Sequence, residues 1–185
     1  MTTDERKISR HDDALSGPVP LNLLDQPLDF ILAEHHRHRI FCARLRQTAE
    51  IRQISRIDAD RIVAYLTQDL DLHHADEDED LFPALRKRAM PEDDLGAVLA
   101  RLGEDHRRGA AMIEAIVDVL SHNPAAESVR IDAKTAEIMQ VYAASEHRHL
   151  ALENAVVLAI AGVRLHRGDL SKISRNMKAR RGVVV

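Results

Sequence analysis

Two segments of this chain place a histidine four residues before a glutamate, His73 before Glu77 and His149 before Glu153. No other feature constrains the fold as much. Residues at this spacing share one face of an α-helix, about one turn apart. Both pairs lie on apolar stripes of helical period, Ile62, Leu66, Leu70, His73, Glu77, Leu81 and Leu85 in one run and Ile138, Tyr142, His149, Glu153, Val156 and Ile160 in the other. Each glutamate is therefore directed inward, and each needs a partner there.

Two further runs have the same period. Leu28, Ile31, His35, His38, Cys42 and Leu45 form one, and Leu95, Leu99, Leu102, His106, Ile113, Ile116 and Leu120 form the other. With 3% aromatic residues and no Trp, the composition is poor in the side chains that strands favour, and Leu, Ala, Glu and Arg favour helices instead. A chain of 185 residues suits one domain. The expected fold is all-α, an up-down-up-down four-helix bundle over residues 27–162. Its helices run from Pro27 to about Glu50, through the second stripe to about Arg88, from Pro91 to Ser121, and from about Ser128 to Ala161, where Gly162 ends the last. Pro83, inside the second, should kink it or remove a backbone bond. Residues 1–26, with Gly17, Pro18 and Pro20, read as an arm, disordered or laid over the domain, with His11 solvated. Residues 163–185 read as a basic extension, helical from Asp169 to Arg181, either docked at an edge or touching another chain.

Several classes are disfavoured. A net charge of -4 gives no electrostatic case for nucleic acid or an anionic membrane. The lone Cys42 leaves no intramolecular disulfide and no Cys-rich zinc finger, which fits a reducing cytoplasm. The N-terminus lacks an apolar leader, and no window reaches the ~18 apolar residues of a membrane span.

The chain holds 11 His, and they cluster. Each half offers an acid followed by His, then His-x-x-x-Glu: Glu34-His35 with His73 and Glu77, and Asp105-His106 with His149 and Glu153. Four helices thus bring four imidazoles and two carboxylates to one interior. Two buried carboxylates cost several kcal/mol each unless compensated, and no Lys or Arg lies on these stripes at that level, so a cation is the simplest partner. Six ligands exceed one tetrahedral zinc, and four imidazoles are too soft a set for calcium or magnesium alone. They divide between two metals, two His each, with Glu77 and Glu153 bridging; iron fits best, with manganese or zinc as alternatives. His38, Tyr142 and Glu34 are candidates for an extra ligand or for hydrogen-bond partners behind the ligands. His36, His74 and His147 rotate off the inward face and read as surface imidazoles. Asp76, Asp78, Glu79 and Asp80 read mostly as a solvated face.

These residues resemble the hemerythrin-like, or HHE cation-binding, domains. Ala33-Glu34-His35, the stretch from Leu72-His73 to Pro83, and His149-Leu150-Ala151-Leu152-Glu153-Asn154 carry the likeness, over about residues 27–162. The resemblance implies a four-helix bundle around a non-haem di-iron centre with an oxo or hydroxo bridge. Its ligands would be His35, His73, Glu77, His106, His149 and Glu153. The oxygen-carrying members place a second His where this chain has Ala110, and an Asp where it has Asn154. That shifts the expectation from stable oxygen carriage towards binding or sensing of oxygen, nitric oxide, peroxide or iron redox state. The alternatives are an enzyme that decomposes peroxide or oxidises ferrous iron, and an interaction module stapled by its metal. A protein partner or a second copy of the chain would receive a sensor's signal.

Overall fold

The computed structural model describes residues 17–184. His11 and most of the expected arm lie outside them. Among the described residues five helices occur: α1 (Pro27–Ile51), α2 (residues 56–88), α3 (Leu95–Ser121), α4 (residues 133–164) and α5 (Arg167–Arg180). Pro27 opens α1, where its missing N–H costs nothing. Ser55 caps α2 by accepting the Asp58 N–H, and Asp132 caps α4 by accepting the Thr135 N–H. Each such cap is worth ~1 kcal/mol.

The core is in two parts. Phe41, Leu45, Ile62, Leu66, Ile116, Leu120, Met139 and Tyr142 form one apolar cluster, and Phe30, Ile31, Leu81, Leu85, Leu99, Leu102, Val157 and Ala161 form another. The first cluster takes the C-terminal halves of α1 and α3 with the N-terminal halves of α2 and α4, and the second takes the opposite halves. Consecutive helices therefore run in opposite directions. This is the expected up-down-up-down bundle.

Three details differ from expectation. A two-stranded antiparallel ladder, β1 (Gln53–Ser55) with β2 (Ser128–Arg130), ties the α1–α2 link to the α3–α4 link and buries Ile54 against Val129. Three residues are too short to show a period of two, so the ladder leaves no sequence signal. α4 accordingly begins at Ala133 rather than near Ser128, and it runs past Gly162 to Arg164, whose guanidinium grips Asp93 with two bonds of 2.8 Å. Finally, the break expected at Pro83 takes the form of a π-turn, Asp76–Leu81, in which the Phe82 N–H reaches back to the Glu77 carbonyl. Pro83 has no N–H to give, and the wide turn ahead of it takes up the mismatch.

Part of the arm and the extension pack on the second cluster. Val19 and Leu24 are buried there, and so are Ile173 and Met177 of α5. The extension is thus docked within the chain. Among the described residues no helix is long and apolar enough to cross a membrane.

Candidate metal centre

Between the two apolar clusters lies a polar layer made by one level of all four bundle helices. His35 comes from α1, His73 and Glu77 from α2, His106 from α3, and His149 and Glu153 from α4, and all six are buried. They form two overlapping groups, His35, His73, Glu77 and Glu153, and Glu77, His106, His149 and Glu153. Within each group the ligand atoms lie inside 4.8 Å of one another.

Each carboxylate turns one oxygen to each histidine pair. Glu77 Oε1 faces His35 Nε2 at 3.2 Å and His73 Nε2 at 3.6 Å, while its Oε2 faces His106 Nε2 at 3.5 Å. Glu153 Oε2 faces His35 Nε2 at 3.4 Å, and its Oε1 faces His149 Nε2 at 3.1 Å. His106 Nε2 and His149 Nε2 converge to 3.1 Å. These atoms are close, yet Glu77 Oε2 and both oxygens of Glu153 lack an aligned hydrogen bond. Buried carboxylate oxygens in that condition are costly, and lone pairs that converge without donors fit a cation. Their ion pairs among the described residues run to histidines only.

π-turns aim both glutamates. In α2 the turn Asp76–Leu81 contains Glu77, and in α4 the turn Glu153–Val157 begins at Glu153, with the Leu158 N–H reaching the Glu153 carbonyl. Turns of this kind recur at functional sites because the extra residue re-aims side chains. A third lies at Tyr65–Asp69.

The imidazoles are oriented from behind. His35 Nδ1 donates to Asn154 Oδ1 at 2.8 Å, and His106 Nδ1 pairs with Asp78 Oδ2 at 2.9 Å. A hydrogen on Nδ1 leaves Nε2 with a free lone pair directed inward. His149 Nδ1 lies 3.8 Å from Asp105 Oδ2, beyond hydrogen-bond distance, and among the described residues His73 Nδ1 has no hydrogen-bond partner.

Charge reinforces the geometry. Burial and the facing Glu153 carboxylate push Glu77 up to about 7. Against burial, the Glu153 contact holds His149 up at about 9, while His149 keeps Glu153 below the usual carboxylate range, also against burial. Burial and then His35 press His73 well below the ordinary histidine value. Protons and cations therefore compete for one set of nitrogens and oxygens.

The candidates for supporting roles separate. His38 lies outside both groups; its Nε2 faces Glu146 Oε2 at 3.3 Å, and both residues are buried. Tyr142 is fully buried, its hydroxyl has no hydrogen-bond partner among the described residues, and it packs beside Gly109. Glu34 turns away from the centre to Arg37, at 3.8 Å, and to the backbone of Val19. His36 and His147 are exposed. His74 is not a surface imidazole, because its ring stacks on His106 with centroids 4.1 Å apart. The acidic run is likewise more than a solvated face. Asp76 and Asp80 are buried, and Asp78 holds His106.

A family model described as the hemerythrin HHE cation binding domain matches residues 26–161. The chain belongs to that family. The match takes in all four bundle helices except the last three residues of α4, and leaves out most of the arm and α5. No curated protein matches the chain. The family is a cation-binding one, and the two His/Glu groups in the middle of this bundle could hold a metal ion. Asp78 and Asn154, which sequence reasoning missed as orienting residues, follow Glu77 and Glu153 directly in the repeat. That equivalence was the available signal.

Proposed function

We propose that this HHE domain is a non-haem di-iron protein that binds or senses a small oxidant or diatomic ligand, of which oxygen, nitric oxide and peroxide are the candidates. His35 and His73 would hold one ion, His106 and His149 the other, and Glu77 and Glu153 would bridge. The observation that carries this reading is the division of oxygens: each carboxylate offers one oxygen to each histidine pair. Two irons held there supply one-electron redox chemistry and exchangeable coordination positions. The chain's own residues do the rest. Asn154 and Asp78 keep His35 and His106 in the tautomer with Nε2 inward, and the apolar clusters on either side exclude bulk water.

Metal analysis of protein reconstituted anaerobically with ferrous iron tests this, with optical spectra before and after oxygen, nitric oxide or peroxide. About two irons per chain with a ligand-dependent spectrum is the expected result, and less than about one per chain sinks the di-iron reading. Zinc or manganese taken up in place of iron, without any optical response, leaves a metal-stapled bundle instead.

A second reading, turnover of peroxide or ferrous iron, is favoured by His38 and Glu146. They form a buried acid–base pair one helical turn from His35 and His149. Sustained peroxide consumption by the iron-loaded protein, lost in His38→Phe with iron content intact, would select the enzyme over the sensor.

A further inference from the structure

The C-terminal helix grips α2 at the turn that carries Glu77. Arg180 Nη1 binds Asp76 Oδ1 at 2.8 Å while its Nη2 binds Asp80 Oδ2, so one guanidinium ties the first residue of the π-turn to its last but one. Arg181 binds Asp76 Oδ1 and Oδ2 at 3.1 and 2.7 Å, and it lies over the Phe30 ring of α1 at 4.8 Å. Asn176 donates to the other oxygen of Asp80 at 2.5 Å. Asp76 precedes Glu77 directly and has no exposed surface. Asp80 lies in the same turn, three residues after Glu77 and one before its last residue, Leu81.

A guanidinium fork has fixed geometry and can hold two carboxylates only at a matching separation. Asp76 and Asp80 are four residues apart, and their separation depends on whether the turn between them is wide or α-helical. Loss of the π-turn would rotate Glu77 relative to its flanking residues and would also break the fit of the fork. We propose that Arg180 and Arg181 are positioning residues for Glu77, acting through Asp76 and Asp80, so that docking of α5 and binding of cations at the centre are coupled. This rests on the reading above that Glu77 holds a cation. Coupling of this kind is reciprocal: what α5 contributes to cation affinity, the cation returns to α5 docking.

The test measures zinc(II) affinity of the full chain by competition with a chromophoric chelator, together with the cobalt(II) absorption bands as a report on ligand geometry. Arg180→Ala combined with Arg181→Ala should weaken zinc about 10- to 100-fold, the range typical of groups that orient metal ligands, and alter the cobalt bands. Where that double variant does not fold, Arg180→Gln carries the same test. Lys178→Ala removes only a solvent-exposed contact of α5, 2.5 Å to Asp25, which leaves the helix docked through Arg180 and Arg181, and should leave zinc affinity and the cobalt bands unchanged. Arg180→Lys keeps the charge but loses the fork, so it should behave as Arg180→Gln does. Full retention of affinity in Arg180→Lys overturns the spacing mechanism. Unchanged zinc binding in the double variant, or an equal loss in Lys178→Ala, overturns the positioning role while leaving the metal site standing. A wild-type chain that binds no zinc and no iron overturns both.

Discussion

The two histidine pairs occupy equivalent places in an internal repeat, yet they are backed by different chemistry. Behind His106 stands the Asp78 carboxylate, and Asp105 lies on the far side of His149. Behind His35 stands the neutral Asn154 amide, and His73 has nothing, because Glu34, the counterpart of Asp105, turns away to Arg37. A carboxylate behind an imidazole raises its basicity and draws in positive charge, whereas an amide only orients it. Identical ligand sets can therefore make unequal sites. The His106–His149 side should take a cation first and hold it longer.

The largest effect should come from a residue that both sides share. Glu77→Ala removes an oxygen from each and should abolish stoichiometric binding of both ions; metal analysis showing full loading would break the shared-bridge reading. Next come the single histidines. His149→Ala should cost the tighter ion, and His73→Ala the weaker one, so stepwise zinc titration should retain the first, tight step only in His73→Ala. Equal behaviour of the two variants would dissolve the asymmetry. Asp78→Ala should weaken the tight step about 10- to 100-fold while the weak step holds. Asn154→Asp should do the reverse on a smaller scale, strengthening the weak step and drawing the two affinities together. If it leaves the titration unchanged, the charge behind His35 is not what separates the sites.

Much of this was legible because it is local. Spacing alone put His73 with Glu77 and His149 with Glu153 on shared faces, and the flanking Leu and Ile residues turned those faces inward. What escaped the sequence depends on neighbours brought from other helices or on backbone that departs from the 3.6-residue period. Asp76 and Asp80 read as solvated because they are charged, although they keep three- and four-residue spacing with the buried His73, Glu77 and Leu81; what offsets their burial is Arg180, Arg181 and Asn176, brought from the C-terminal segment. His38 shared a stripe with His35, and no sequence pattern could show that Glu146 of α4 would meet it. His74 lay one residue off the inward face, yet α3 came close enough for His106 to stack on it.

A core divided at mid-height by a charged layer also bears on how the molecule comes apart. The cluster around Phe41 and Tyr142 is closed by the β1–β2 ladder, and the one around Phe30 and Leu85 is closed by α5, so each has its own end wall. Cations at the layer would weld these halves into one cooperative unit, and without them the two halves would be expected to open as partly independent foldons joined by continuous helices. Metal supply would then set the lifetime of the folded chain as well as its chemistry.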